Sequence, residues 1–495
     1  MNAYPSARHV SMSISFALVD VDAAGNATPA SNGAERLSDL ARLLTGNAKS
    51  PGKIMTMEDG LVRTDGTWEP MPEDMVVPYW STALSDSSGT FAVPPTLTMT
   101  LSAPASSVGF SMTFDETAGC WPSSLRITAY RGASRITQET FSLSGPQLDA
   151  DLPVDNYDKV VVEFLKTPEP YRRIKLYAFL FGIVQRFDPN TIVSATITAG
   201  CDPACDSIPS AQLIFTFNNQ DKAYNLINPN GLYRFLQDGQ VIETEMAIDG
   251  QTAETGTFYF TKSEAQDSAL TAKITANDRV LSWDGETWNG GTSGTWTLEE
   301  ALRTVLGEGM TFSFGAGLAQ RTVGKAIPQD TSKREAVRLL CQAARCTCWV
   351  DRAGVVTCRS LEIAGSGVDT LDGDNLYSWD GVGVSERVDC VSLTVKDAYG
   401  DTEQTYTAGS GVNVESINNP CAVDGQVVAQ WLLDIYRQRL SYDVKNRGNP
   451  EVKAGDTITI YNAYQEAGRA VVYEQDLTYN GGLTAQTKAL GAAWT

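Results

Sequence analysis

Four cysteines, Cys341, Cys346, Cys348 and Cys358, lie close together in the chain. Four thiolates are what a tetrahedral zinc site takes. The spacing, however, contains no Cys-x-x-Cys pair. Cys341 falls within a helical apolar pattern, and Cys348 and Cys358 fall on the strands of a hairpin, where alternation already calls for a small apolar residue. The sequence therefore favours core thiols here, with no metal and no other cofactor expected. Cys201 and Cys205 flank Asp-Pro-Ala and could bridge around a turn, but a reducing cytosol favours free thiols. The single histidine, His9, would have to serve any Ser-His-Asp or Cys-His arrangement, and no nucleophile elbow accompanies it. Asp115 and Glu116 are the nearest approach to the carboxylate pair of a glycosidase; a solvated loop is the simpler account. No catalytic residue is expected. Trp80, Trp121, Tyr171 and Arg172 make a candidate glycan-binding rim, since aromatic faces stack on sugars and an arginine can fork to hydroxyls. The same four residues would equally serve as core at the end of a sandwich.

The elements that would position these groups are mostly strands. Val10, Met12, Ile14, Phe16 and Leu18 alternate with small residues, and a helical face follows over Ala34–Leu44. Short strands are expected on either side of Gly60. From Val77 to about Gly182, short alternating runs separated by turns predict a β-sandwich of two packed sheets. Leu213, Phe215 and Phe217 begin a new strand set, with turns at Asn-Pro-Asn-Gly (228–231) and Asp238-Gly239 and strands at 241–245 and 256–260. Thr297 with Glu300, and Ser332 with Glu335, are spaced as capping boxes ahead of two amphipathic helices. Trp349-Val350 and Val355-Val356 then face each other across Asp351–Gly354. A helix over 423–440 should turn Val427, Trp431, Leu432 and Ile435 to a core, and Tyr479–Ala485 closes the chain as a hairpin. The expected division is 1–76, an N-terminal β/α segment; 77–182, a jelly-roll sandwich; 183–290, a first β-domain; 291–372, an α+β module; and 373–495, a second β-domain carrying the 423–440 helix.

At 495 residues and 53.4 kDa, the chain is too long for one core. Its 38 basic against 59 acidic residues give a net charge of −21, which argues against a phosphate-binding surface. Acidity serves solubility, or it lines a passage through which DNA slides without sticking. No signal peptide is expected from the first ten residues, and no run is apolar enough for a membrane-spanning helix.

The order from strand 212–218 through Asn-Pro-Asn-Gly-Leu-Tyr (228–233), Leu-Gln-Asp-Gly-Gln (236–240) and Gly-Thr-Phe-Tyr (256–259) resembles the tail-tip hub proteins of long-tailed bacteriophages and prophages, relatives of the baseplate hub. So does the pairing of Pro450, Gly455-Asp456-Thr457-Ile458 and Tyr479-Asn480-Gly481-Gly482-Leu483. Segments around Tyr79-Trp80-Ser81, Leu152–Asp158 and Pro170–Ile174 resemble the discoidin-like, galactose-binding-like jelly rolls of some tail-tip proteins. The resemblance implies a mostly β, multidomain fold: a jelly-roll sandwich followed by hub-type β-barrels with an interposed α+β module. It further implies a non-enzymatic homotrimer at the distal tail tip of the virion, assembled in the bacterial cytoplasm. Its partners would be a hexameric distal tail or tube protein, the tape measure protein, and fibres or receptor-binding proteins. DNA would pass through unbound, and a host surface glycan would be a further partner. A carbohydrate-binding adhesin working through 77–182 is the alternative.

Overall fold

The computed structural model describes residues 8–45, 52–228, 231–266, 268–290, 293–363, 365, 367–377, 381–396, 403–462, 464 and 466–491. They form two compact units that are discontinuous in sequence. One comprises 15–186 and 226–241; the other comprises 1–14, 187–225 and 242–495.

The first unit is the sandwich. Strand β1 (Val10–Val19) buries every second residue as its alternation requires and belongs to the extended sheet described below. Strands β2 (Ala27–Ser31), β3 (Thr96–Phe114), β4 (Ser124–Arg131), β5 (Ser134–Ser142), β6 (Gln147–Lys166) and β7 (Lys175–Leu180) join the short strand Tyr79–Trp80 in a seven-stranded sheet. Its order is Tyr79–Trp80, β7, β3, β6, β4, β5, with β2 also on β3. Where two sheets were expected, β3 and β6 are each continuous, and three register shifts between Thr100 and Gly109 bend them. Those shifts change the inward parity from Leu97, Met99 and Leu101 to Phe110, Met112 and Phe114, and all six enter one core. Gly109 is required at the bend, because a Cβ there would lie 2.0 Å from the Ala150 carbonyl.

The helix expected over 34–44 is reduced to a 3-10 turn, Leu40–Thr45. The residues before it spend their backbone groups elsewhere: Glu35 N–H donates to the Trp80 carbonyl, and Val77 N–H to that of Leu37. Of the strands expected around Gly60, only Ile54–Met55 forms, parallel to Glu69–Pro70. The intervening chain turns instead, because the Thr56 hydroxyl donates to the Glu58 carboxylate and Leu61 N–H to the Glu58 carbonyl.

The second unit is built on an extended sheet. Strands β8 (Ile192–Gly200), β9 (Gln212–Asn218), β10 (Val241–Ile248), β11 (Gln251–Glu264) and β12 (Thr271–Asn277) supply one half. The expected strands 241–245 and 256–260 lie within β10 and β11. Pro229 and Asn230 of the Asn-Pro-Asn-Gly corner lie outside the described residues. No sheet among the described residues closes into a barrel. The order runs β10-β11-β12-β9-β8 and then continues directly into strands from the C-terminal quarter of the chain, so β8 pairs outward instead of closing on β10.

Between the halves lies a helical module. Helix α1 (Leu298–Leu306) has the expected capping box: Thr297 accepts from Glu300 N–H at 3.3 Å, and the Glu300 carboxylate accepts from Thr297 N–H at 3.0 Å. Helix α2 (Lys333–Ala343) has only half of one. Ser332 accepts from Glu335 N–H, while the Glu335 carboxylate turns to Arg338 at 2.6 and 2.7 Å. Hairpin β13 (Thr347–Val350) and β14 (Val356–Arg359) follows, with Val350 opposite Val356 and Cys348 opposite Cys358. Strands β15 (Cys390–Lys396), β16 (Glu403–Gly409) and β17 (Val414–Asn418) form a small sheet that packs against helix α3 (Gly425–Tyr436). Leu432 and Ile435 are buried as expected and Trp431 is half-buried against the core, while Val427 stays exposed and Val428, Ala429 and Leu433 complete the buried face. All three helices share one hydrophobic core. Strands β18 (Leu440–Asn446), β19 (Thr457–Tyr461), β20 (Ala467–Tyr479) and β21 (Leu483–Leu490) complete the large sheet, and β20 pairs with β8 from Ala195 opposite Tyr479 to Gly200 opposite Glu474. The closing hairpin turns at Gly481, whose φ is +86°.

Candidate functional site

The four clustered cysteines are all fully buried. Two local devices bring them together. Helix α2 ends with Arg345 in the left-handed conformation at φ +59°, with Arg345 N–H donating to the Gln342 carbonyl and Cys346 N–H to that of Cys341, both at 3.0 Å. This is the Schellman ending, which sets the side chains of the residues five apart against each other. Here both are cysteines. The second device is the hairpin, which places Cys348 directly opposite Cys358. The Sγ atoms of Cys341, Cys348 and Cys358 all lie within 4.8 Å of one another, with 4.0 Å between Cys341 and Cys358. The Cys346 thiol donates to the Cys341 carbonyl at 3.4 Å. Hydrogen bonds from Cys341 and Cys358 bring the Cys348 thiol down to about 6. The remaining five cysteines are free and buried, Cys201 and Cys205 among them.

At the sandwich end, the four rim residues have different situations. Trp80 is 3% exposed, and the Lys175 ammonium lies 4.5 Å from its ring centroid. Trp121 is half-buried against the core. Arg172 is 9% exposed, and its guanidinium donates to the carbonyls of Ala118 at 2.5 Å and Pro170 at 3.3 Å. Tyr171 alone presents an exposed ring, at 46%. Asp115 is buried and holds its own loop, accepting from Thr117 N–H at 2.9 Å and the Tyr177 hydroxyl at 3.0 Å; Glu116 is exposed. His9 is exposed and donates its backbone N–H to the Asp249 carboxylate.

Sequence reasoning missed a buried ion pair beside Trp80. Lys175 Nζ lies 2.8 Å from Glu58 Oε2, with side chains 3% and 0% exposed. Burial alone would push the Glu58 carboxyl up, but the Lys175 charge, with hydrogen bonds from Lys175, Arg173 N–H and Thr56, brings it below its ordinary value. Burial pushes the adjacent Cys120 thiol up to about 12. The available signal was a lysine inside the apolar run Ile174–Phe181. Near this pair, a cavity of about 450 Å³ is lined by Met55, Met57, Val62, Met71, Trp80 and Arg173. In the second unit, a cavity of about 140 Å³ is lined by Trp349, Asp351, Arg352, Arg359, Asp456 and Gln475. Burial pulls the Arg352 guanidinium down to about 10.

Among solved structures, the chain is similar to a tail protein from Neisseria meningitidis MC58, at 10% identity and a TM-score of 0.47, covering 62% of this chain and 93% of that one. It is also similar to the 43 kDa tail protein of prophage MuSo2 from Shewanella oneidensis, at 12% identity and a TM-score of 0.44, covering 62% and 95%. A family 32 carbohydrate-binding module from C. perfringens NanJ, solved with galactose, is similar over 34% of this chain and 99% of that one, at 12% identity and a TM-score of 0.21. No protein-family model matches the chain. No curated protein matches it.

Proposed function

We propose that this chain is a structural subunit of a bacteriophage tail, and specifically the hub at its distal end. The observation that supports it most is the place of β8, which pairs with β9 on one side and β20 on the other: the two stretches whose residue order resembles the hub family, far apart in sequence, are joined through it in one sheet. In this role three copies surround the exit channel. Each contributes two related β-domains, so a trimer imitates sixfold symmetry and docks on a hexameric tube or distal tail ring, with the tape measure protein ending at the same place. The net charge of −21 suits a channel that DNA must traverse without binding. The function is geometric and not enzymatic, and fibres or receptor-binding proteins attach outside. Immunogold microscopy of a lysate containing tailed particles, with antibodies against the purified chain, tests this. Gold at the distal tip supports the hub; gold on cell surfaces, or unlabelled particles in a lysate rich in tails, removes it.

A second reading, host-glycan binding by the sandwich, is favoured only by the exposed Tyr171 ring. Its test is a glycan array with the full chain: binding that Tyr171→Ala abolishes supports it, and binding indifferent to that change removes Tyr171 from the role.

A further inference from the structure

We propose that Cys341, Cys346, Cys348 and Cys358 form a closed tetrathiolate site for one zinc ion, which fastens the end of α2 to the β13–β14 hairpin. Three sulfurs already lie within 4.8 Å of one another, and the fourth, Cys346, is held beside Cys341 by the helix ending, where its thiol donates to the Cys341 carbonyl at 3.4 Å and would turn from it to the metal. A tetrahedron of sulfurs about 2.3 Å from a metal has edges of roughly 3.8 Å, so the 4.0 Å between Cys341 and Cys358 needs only a small contraction. A polynuclear iron–sulfur cluster holds its cysteines around a cage of several metal atoms and would need these sulfurs much farther apart.

The donor set has the character of a structural site. All four residues are fully buried, which leaves no open position for water or substrate. Sulfur ligands in tetrahedral geometry suit zinc. Binding forms four Zn–S bonds, breaks the S–H bonds that remain, and releases those protons to solvent. The bound centre carries two negative charges, and Arg321 and Arg345 stand close enough for their charges to act on the Cys346 sulfur. Arg321 is held there by the Ala344 and Arg345 carbonyls, at 2.6 and 3.2 Å. Simple core packing would place each sulfur against hydrocarbon; here three of the four meet other sulfurs.

The test uses the full chain purified without chelator. Elemental analysis should find about one zinc per chain, and X-ray absorption at the zinc edge should show four sulfur neighbours at about 2.3 Å. Cys348→Ser and Cys358→Ser should lose the metal, while Cys120→Ser, in the other unit, should keep it. Because a serine variant can fail through misfolding, the wild-type chain is also stripped of metal and titrated with Co²⁺, which should give the intense sulfur-to-cobalt absorption of a tetrathiolate site. A folded wild-type chain that retains no zinc and gives no such band overturns the proposal. So does zinc bound through nitrogen or oxygen, or iron with iron neighbours. None of these outcomes depends on where the chain resides in a virion.

Discussion

Glu58 and Lys175 are the residues whose loss should be felt most. Their side chains are almost wholly out of water, so removing one charge strands the other. Glu58→Gln should destabilise the sandwich by about 3–5 kcal/mol in urea unfolding. The pH dependence has a definite sign. The folded Glu58 carboxyl titrates below its ordinary 4.5, so its contribution is present above that pH and is lost as the medium becomes more acidic. Wild type should therefore lose melting temperature on acidification, and Glu58→Gln should lose less. Asp278 behaves oppositely. Burial lifts its carboxyl from 3.8 to about 6 while it caps a 3-10 turn by accepting from Val280 N–H. Its contribution is complete below 3.8 and lost as pH rises through about 6. Asp278→Asn keeps an acceptor for Val280 and should match wild type near pH 3.8, yet exceed it by on the order of 2 kcal/mol at pH 8.

At the scale of elements, the two helix caps should separate in strength. The double change Thr297→Ala with Glu300→Ala removes both bonds of the reciprocal cap and should lower stability by about 1 kcal/mol, whereas Ser332→Ala removes one and should fall nearer ~0.5 kcal/mol, read from the same urea curves. Strands with one buried face were legible, because Leu213, Phe215 and Phe217 or Val10 to Leu18 leave no other period. The Ala34–Leu44 segment was not, because its backbone is claimed by residues some forty positions on, which no local pattern records. The thiol cluster was half legible. Pairing Val350 with Val356 already sets Cys348 opposite Cys358, but the approach of Cys341 to Cys346 depends on Arg345 taking a left-handed backbone that glycine normally supplies. The buried ion pair was illegible for a related reason: Glu58 sits in a stretch that reads as a short strand, and its partner Lys175 lies more than a hundred residues on.

For the whole molecule, the hub proposal fixes a stoichiometry. Sedimentation equilibrium of the purified chain should give three times 53.4 kDa; a monomer at every concentration up to that used for assembly would count against it. The expected barrels gave way to an open sheet because hydrophobic alternation specifies which face a strand buries but not which neighbour it pairs with.

The partnership of Ala195 with Tyr479 also sets an order in time. A ribosome that has made β8, β9 and β12 must translate the helical module, the small sheet and α3 before β20 exists. At about 5–20 residues per second, the interval from Asn277 to Ala467 is roughly 10–40 seconds. Throughout it, β8 offers a free row of backbone donors and acceptors, the kind of edge on which neighbouring chains aggregate. A chain cut short before its last hairpin would keep that edge for good. The sheet is therefore completed only once β20 has been made, and a chain lacking β20 should aggregate through its unfinished β8 edge.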